Sequence, residues 1–190
     1  MSIGLYFGSF NPIHIGHLII ANHILNATSI EKVWFVISPQ NPFKKSSSLL
    51  NEFERLHLLQ KAIGNDSRLK AVDIEFALPK PSYTATTLAY LAEKYPQYTF
   101  QIIMGSDSFH NIAQWKNAAF IVENYKLLIY KRPGFEVNNI LGAAIEVLNA
   151  PLLEISATYI RQMVREGKSI KYLVPQSIEG EIATNRFYRH

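Results

Sequence analysis

Residues 8–17 decide how the rest of this chain is interpreted. They read Gly8-Ser9-Phe10-Asn11-Pro12-Ile13-His14-Ile15-Gly16-His17. An apolar run at residues 3–7 precedes this stretch, and apolar residues at helical spacing follow it from Leu18, which predicts a short buried strand, a turn and a helix. In a parallel sheet, such a turn directs the free N–H groups and the positive dipole end of the helix towards the crevice beside the sheet. We therefore predict a nucleotide phosphate site here.

The residue types within this motif suit a phosphate. Gly8 and Gly16 let the backbone approach an anion or a neighbouring strand closely, and Pro12 restricts the loop by fixing one φ angle. If the helix begins near His14, then His14 and His17 share one face of it. Each imidazole can donate an N–H to phosphate oxygens and stabilise charge that develops during phosphoryl chemistry.

Two other interpretations of the motif remain open at this point. The histidines could form a zinc pair, although the chain has no Cys and the motif contains no acidic residue. The motif could also be a helix cap that binds no ligand. Its spacing matches neither the glycine pattern of a dinucleotide-binding turn nor the Gly-Lys-Ser/Thr of a P-loop.

A second motif near the C-terminus has similar physical properties. It reads Ile155-Ser156-Ala157-Thr158-Tyr159-Ile160-Arg161. Ser156 is a good N-cap for a helix predicted over residues 158–164, and Gly167 with Lys168 marks its end. Arg161 lies one turn into this helix and always carries charge, so it can hold a triphosphate through paired N–H bonds; the alternative is a solvated surface arginine.

Composition indicates one domain of moderate size. The chain has 190 residues, 48% of them hydrophobic, which is enough for one core and too short to require two domains. The net charge of +4 and the pI near 9.2 suit polyphosphate substrates, and would equally suit weak nucleic-acid binding. With no Cys, no apparent signal peptide and no membrane-length apolar run, we expect a cytoplasmic protein.

Apolar runs alternate with helical patterns along the chain. Beyond the first strand, we predict strands over residues 33–37, 71–74, 99–104 and 126–130. Helices are predicted over 52–63 after the cap Asn51, over 85–94 after the cap Thr84, and over 176–183. This alternation predicts an α/β fold with a doubly wound parallel sheet in a single domain spanning residues 1–190. Residues 135–153 fit either a helix or two short strands.

The two motifs together resemble the G-x-F-x-P-x-H-x-G-H and I-S-S-T-x-I-R signatures of the nucleotidylyltransferase superfamily, with Ala157 where Ser is usual. The resemblance implies a Rossmann-like fold. It also implies that a nucleoside triphosphate and a phosphorylated acceptor are joined, with release of pyrophosphate. The acceptor phosphate would attack the α-phosphate of ATP in line, without a covalent enzyme intermediate. The implied cofactor is Mg²⁺, held mainly by the phosphates.

Three further elements resemble the nicotinate mononucleotide adenylyltransferase branch of that superfamily. They are residues 38–44 after the second strand, residues 82–88 with the sequence Ser-Tyr-Thr-Ala-Thr-Thr-Leu, and residues 104–107 together with Trp115. The basic loop 131–134 also matches. Asn11 where Asp is commoner, Phe43 for His and Thr86 for Asp are departures from the pattern. The resemblance covers residues 4 to about 175 and implies ATP and nicotinate mononucleotide as substrates.

The resemblance implies a role for each matching position. Catalytic residues would be His14, His17, Lys44 and Arg161. ATP would be bound by Gly8, Ser9, Phe10, Gly16, His17, Gly105, Asp107, Ile155, Ser156, Thr158 and Arg161. The acceptor would be bound by Asn41, Lys44, Tyr83, Thr84, Asp107, Trp115 and Arg132.

Two alternative functions are also compatible with this sequence. One is a pantetheine-phosphate adenylyltransferase, and the other is a non-catalytic nucleotide- or RNA-binding protein on the same fold. The chain shows no basic strand interleaved with aromatic residues and no helix-turn-helix, so we expect neither nucleic acid nor membrane as a partner. A homo-oligomer is possible, because Phe187 and Tyr188 could form an interface or a tail that packs on the sheet. The choice between nicotinate and nicotinamide mononucleotide stays open.

Overall fold

The fold is built on one six-stranded parallel sheet. A computed structural model describes residues 1–40, 49–151 and 154–189. The strand order is β3-β2-β1-β4-β5-β6. The strands are β1 Ser2–Gly8, β2 Lys32–Ile37, β3 Leu69–Val72, β4 Thr99–Gly105, β5 Leu127–Tyr130 and β6 Ile145–Leu148. The helices are α1 Ile15–Ala27, α2 Glu52–Ile63, α3 Thr84–Lys94, α4 Ser106–His110, α5 Ala118–Asn124, α6 Ala157–Arg165 and α7 Gln176–Thr184, with 3₁₀ turns at Ile74–Ala77 and Ile112–Gln114.

Helices cover both faces of the sheet, which confirms the predicted doubly wound architecture. One apolar cluster joins the sheet to α1, α2, α6 and α7, through residues such as Ile24, Leu58 and Ile178. The other cluster joins the opposite face to α3, α4 and α5, through residues such as Leu88 and Ile121. Because the central strands are covered on both faces, their sequences are continuous apolar runs rather than alternating patterns.

The strand order reverses between β1 and β4, and this point positions the site. From β1 the chain builds outward through β2 and β3, and it then crosses back to place β4, β5 and β6 on the other side. The loops that leave β1 and β4 therefore diverge at their carboxyl ends. In open parallel sheets, a ligand crevice forms at this switch point.

The first helix and the third strand have boundaries that differ from the predicted ones by two or three residues. The first helix begins at Ile15 rather than Leu18, with His14 as its N-cap. The third strand is Leu69–Val72 rather than 71–74, because its last pairing is Val36 with Val72 and β2 ends one residue later. Beyond that point the chain lacks a strand partner and forms a 3₁₀ turn.

The predicted N-cap role of Thr84 is wrong. Helix α3 begins at Thr84 itself, and its N-cap is Tyr83, which makes no side-chain capping bond. The carbonyl of Tyr83 accepts from the backbone N–H groups of Thr86 and Thr87, so the helical hydrogen bonds start one residue earlier. The caps predicted at Asn51 and Ser156 are confirmed, since their side chains accept from the backbone N–H groups of Phe53 and Tyr159.

The segment that fitted either a helix or two strands contains a single strand, β6, in its described part, residues 135–151. β6 pairs in parallel with β5 and forms an edge of the sheet. The loop before it is closed by Asn139, whose side-chain amide both donates to the carbonyl of Ala143 and accepts from its N–H. This closure accounts for the asparagine-rich sequence that obscured the pattern.

The C-terminal tail packs against the body of the protein. Tyr188 is buried within the apolar cluster that holds α1, α2 and α6, and Phe187 lies partly buried beside it. This is the packed-tail alternative of the two that the sequence allowed. No helix of the described residues is long and apolar enough to cross a membrane.

Candidate active site

Two adjoining cavities open at the carboxyl ends of β1 and β4. The smaller, of about 350 Å³, is called the histidine cavity and is lined by Tyr6, Phe7, Gly8, Ser9, Phe10, Asn11, His14, His17, Leu49, Asp107, Ser108, Tyr130, Arg132, Ile155, Ser156, Ala157, Thr158 and Arg161. The larger, of about 590 Å³, is called the tryptophan cavity and is lined by Phe7, Gly8, Ser38, Glu75, Ser82, Tyr83, Thr84, Asp107, Ser108, Asn111, Gln114, Trp115, Lys116 and Phe135. The two share a wall formed by Phe7, Gly8, Asp107 and Ser108.

The two histidines of the first motif form a stacked pair at the start of α1. Their ring centroids lie 3.7 Å apart with an interplanar angle of 28°. The backbone N–H of His14 donates to Nδ1 of His17 over 3.3 Å. Since Nδ1 of His17 is an acceptor, the neutral ring carries its hydrogen on Nε2. This tautomer makes Nε2 of His17 a hydrogen-bond donor.

His14 is neutral in this site. It is 4% exposed, and burial lowers its pKa to about 4, with a smaller contribution from the positive charge of Arg132. Its Nδ1 is buried and has no hydrogen-bond partner within the described ranges. His14 therefore offers the cavity a hydrogen-bonding ring rather than a second positive charge.

Aromatic packing holds the loop between β1 and α1. Phe10 has a positive φ of 44° and is buried. Its ring packs edge-on against the imidazole of His17, with the two ring centroids 5.1 Å apart. A Cβ at position 8 would lie 2.8 Å from the Phe10 ring, so this turn requires Gly8. A Cβ at Gly16 would lie 3.1 Å from Nδ1 of His14. Gly16 lines neither cavity, and it acts by leaving room for His14.

Arg161 reaches across from α6 to the first motif. Its Nη1 donates to the carbonyl of Asn11 over 2.8 Å, and its Nη2 donates to Oγ1 of Thr158 over 3.2 Å. Its Nε is buried without a partner in the described part of the chain. The Ser156 cap sets the first turn of α6 against the same cavity. The two motifs, far apart in sequence, thus converge on one volume.

Arg132 lies in the histidine cavity, apart from Tyr83 and Trp115, with which the resemblance grouped it. Oγ of Ser106 accepts from its backbone N–H over 2.8 Å, and its Nε lies 3.5 Å from Oδ1 of Asp107. These contacts hold the arginine over the end of β4, which explains its placement. Asp107 lines both cavities.

Gly105 contributes space rather than a contact. A Cβ at this position would lie 2.2 Å from Oδ1 of Asp107 and 3.2 Å from the ring of Tyr130. Gly105 lines neither cavity but allows Asp107 to fold back over the end of β4. The other ATP-site residues predicted from the two motifs, Ser9, Phe10, Ile155, Ser156 and Thr158, all line the histidine cavity.

The tryptophan cavity is built from aromatic and polar side chains. Tyr83 and Thr84 line it from the start of α3, and Trp115 lines it from the segment before α5. Nζ of Lys116 lies 4.4 Å from the centroid of the Tyr83 ring. Asn41 and Lys44, also predicted for the acceptor, lie outside the described residues.

Sequence reasoning missed three charged residues at this crevice. Glu75 is buried and accepts from Oγ1 of Thr87 over 2.7 Å, and burial raises its pKa. Lys116 went unnoticed beside Trp115. Arg55 is fully buried in α2, on the same face as Leu58 and Leu59. A charged residue on the apolar face of a predicted helix was the signal that could have found Arg55.

Comparison with known proteins agrees with this geometry. The family model described as cytidylyltransferase-like matches residues 5–163. The chain is 50% identical to a Cytophaga hutchinsonii protein named probable nicotinate-nucleotide adenylyltransferase, over 99% of this chain and 98% of that protein. A Flavobacterium johnsoniae protein of the same name is 44% identical over 100% of both chains. The chain belongs to the nicotinate-nucleotide adenylyltransferase family. This confirms the branch predicted from the middle three elements.

The fold of this chain is similar to that of a solved nicotinic acid mononucleotide adenylyltransferase. The chain matches the Plasmodium falciparum nicotinic acid mononucleotide adenylyltransferase complexed with NaAD at a TM-score of 0.83. The two are 24% identical, over 98% of this chain and 97% of that one. The Rossmann-like fold predicted from the motifs is thereby confirmed.

Proposed function

We propose that this chain transfers the adenylyl group of ATP to nicotinate mononucleotide, giving deamido-NAD and pyrophosphate, a step of NAD biosynthesis. ATP would occupy the histidine cavity, and the pyridine end of the acceptor would occupy the tryptophan cavity. One observation carries this assignment. The two cavities share the wall of Phe7, Gly8, Asp107 and Ser108, so an α-phosphate in one and an acceptor phosphate from the other can meet there.

The donors of the histidine cavity suit a transferring phosphate. His17, Arg132 and Arg161 line this volume together with residues from the first turns of α1 and α6. Fixed donors stabilise charge that develops on the phosphate without having to reorganise during the reaction. The attacking acceptor phosphate is already anionic at neutral pH, so the chain needs to supply positioning and charge rather than a general base.

The residue set fits a magnesium ion that travels with ATP. The described residues contain no cluster of three or more His, Cys, Asp or Glu side chains that could form a protein cage for a metal. Asp107 provides the carboxylate of the shared wall, and its Oδ1 is ion-paired with Nε of Arg132 at 3.5 Å. Mg²⁺ commonly takes one or two carboxylates with phosphates and waters. When bound, the ion would neutralise charge on the leaving pyrophosphate.

The tryptophan cavity suits the pyridine ring of the acceptor. The indole of Trp115 offers a flat face for stacking, and the start of α3, at Thr84, lines the same cavity with the positive end of its helix dipole. Contacts from Asn41 and Lys44 to the acceptor are proposed from the resemblance alone. The cytoplasmic location and a possible homo-oligomer stay predictions.

Pyrophosphate release tests this proposal directly. ATP and Mg²⁺ would be supplied with nicotinate mononucleotide, nicotinamide mononucleotide or phosphopantetheine in parallel reactions. We expect release with nicotinate mononucleotide and the appearance of deamido-NAD. Release with phosphopantetheine alone would assign the chain to the sister reaction. No release with any acceptor, together with salt-dependent RNA binding, would favour the non-catalytic alternative.

A further inference from the structure

Arg55 is a buried cation whose hydrogen bonds to the described residues all go to main-chain carbonyls. Its Nε donates to Leu50 over 2.8 Å, and its Nη1 donates to Ser9 over 2.7 Å and to Ser38 over 2.9 Å. Its Nη2 donates to Pro39 over 3.2 Å. The side chain is fully buried, and within the described ranges it forms no ion pair with a carboxylate.

Burying a guanidinium in a core costs more free energy than filling the same volume with an apolar side chain. A buried guanidinium loses its hydration, and without a carboxylate it depends on the carbonyl dipoles around it. An apolar side chain on the same face of α2 would avoid that cost, as Leu58 and Leu59 do one turn later. What distinguishes Arg55 is the identity of the segments that it joins.

Those segments are the substrate loops proposed above. Ser9 belongs to the loop between β1 and α1 that lines the histidine cavity. Ser38 lines the tryptophan cavity, and Pro39 follows it at the end of β2. Leu50 lies directly before Asn51, the N-cap of α2. One guanidinium thus connects main chain from both cavities.

The hydrogen bonds continue from Arg55 to the second motif. The N–H of Leu50 donates to Oδ1 of Asn11 over 3.1 Å, and the carbonyl of Asn11 accepts from Nη1 of Arg161 over 2.8 Å. Arg55 and Arg161 therefore both hold the loop between β1 and α1, at Ser9 and at Asn11 respectively. Both arginines are planar donors with several fixed N–H directions, which a lysine cannot reproduce.

We propose that Arg55 is a positioning residue that sets the spacing between the ATP loop at Ser9 and the acceptor loop at Ser38 and Pro39. This inference rests on the proposed function for its consequence in catalysis. Arg55 does not line either cavity, so it acts through the main chain that it holds. In-line attack is sensitive to displacements of about 1 Å, and losses of about a hundredfold follow from them. Loss of Arg55 would therefore reduce kcat more than it raises either KM.

The test compares Arg55→Lys and Arg55→Met with Leu58→Ala as a matched control. Leu58 is fully buried on the same helix, lines neither cavity and donates no hydrogen bond to either loop from its side chain, so its truncation destabilises the fold through lost packing alone. Each variant would be assayed for pyrophosphate release per folded molecule, alongside its thermal midpoint. We expect kcat to fall about thirtyfold or more in both Arg55 variants. In Leu58→Ala, kcat should stay within about threefold of wild type at a similar loss of midpoint.

A second measurement keeps this inference separate from the reaction. Amide hydrogen exchange would be followed in peptides that contain residues 8–11 and 38–40, with the β4 peptide as an internal reference. Both loop peptides should exchange faster in the Arg55 variants and remain unchanged in Leu58→Ala. If exchange is unchanged, or if kcat falls no further than in Leu58→Ala, Arg55 has no positioning role. If wild type releases no pyrophosphate, the proposed function fails, while exchange still decides whether Arg55 holds the loops.

Discussion

The histidine and tryptophan cavities share a wall but are built in different ways. The histidine cavity is lined by the buried His14 and by the partly buried His17 and Arg161, and internal contacts hold all three in place. The tryptophan cavity is larger and combines partly exposed aromatic faces with one exposed cation, Lys116, among its described lining residues. A phosphate needs donors at fixed positions, whereas a ring needs a plane and space. The comparison teaches that fixed cationic and imidazole donors are gathered in one cavity and flat aromatic faces in the other.

The largest effect should come from the histidine cavity. We expect His17→Ala to lower kcat about a hundredfold with little change in either KM, since Nε2 would donate mainly to charge that develops in the transition state. Initial rates of pyrophosphate release measure this effect. His23→Ala, on the same helix and lining neither cavity, is the control. Unchanged turnover in His17→Ala would remove His17 from the role.

Arg161 should contribute to binding as well as to turnover. We expect Arg161→Met to weaken ATP binding by about 2 kcal/mol, since it removes charge-assisted hydrogen bonds to the triphosphate. Calorimetric titration with a non-hydrolysable ATP analogue measures this loss. Arg165→Met, one turn further along α6 and outside the histidine cavity, should leave the affinity unchanged. Equal losses in the two variants would point to general electrostatics.

The pKa of His14 predicts a pH dependence of stability. The folded-state pKa is lowered from 6.5 to about 4, so the unfolded chain binds more protons between these values. The stability is unaffected by this group above about pH 6.5 and falls by about 3 kcal/mol as pH falls towards 4. Urea unfolding at pH 7.5 and 4.5 tests this, with His14→Gln expected to lose less stability between the two. The same decrease in both proteins would contradict a buried neutral His14.

A smaller and more selective effect is expected in the tryptophan cavity. Trp115→Ala should raise the KM for nicotinate mononucleotide about fivefold, which corresponds to a loss of about 1 kcal/mol of stacking. The KM for ATP should stay unchanged. Trp115→Phe should recover part of the loss because it restores an aromatic face. If the KM for ATP rises equally, the division of substrates between the cavities is incorrect.

The smallest effect concerns the acid group of the acceptor. Lys116 is exposed, so Lys116→Met should weaken the binding of nicotinate mononucleotide by less than about 1 kcal/mol. The binding of nicotinamide mononucleotide should not change. Lys70→Met is a suitable control, because Nζ of Lys70 also lies over an aromatic ring, that of Trp34, away from both cavities. The ratio of kcat/KM for the two acceptors, at low and high salt, measures the effect. An unchanged ratio would remove Lys116 from acceptor selection.

Much of the fold was predictable because its signals are local. Apolar runs marked β1, β2, β4 and β5 to within two residues, and the caps at Asn51 and Ser156 marked the starts of their helices. The end of β3 was not predictable, because it depends on where the partner strand β2 ends. The start of α3 depended on which carbonyl accepts the first helical hydrogen bonds.

The candidate site likewise has features that local sequence determines and features that only the tertiary structure decides. The amino-acid sequence by itself determined the two anion-receptive helix starts, the residues that surround them and the family, because each motif is a contiguous stretch with its own local chemistry. Only the tertiary structure decided that Arg132 lies beside Asp107, that His14 is buried and neutral, and that Arg55 joins both loops. These facts depend on burial and on contacts between segments far apart in sequence, and no local pattern encodes such contacts.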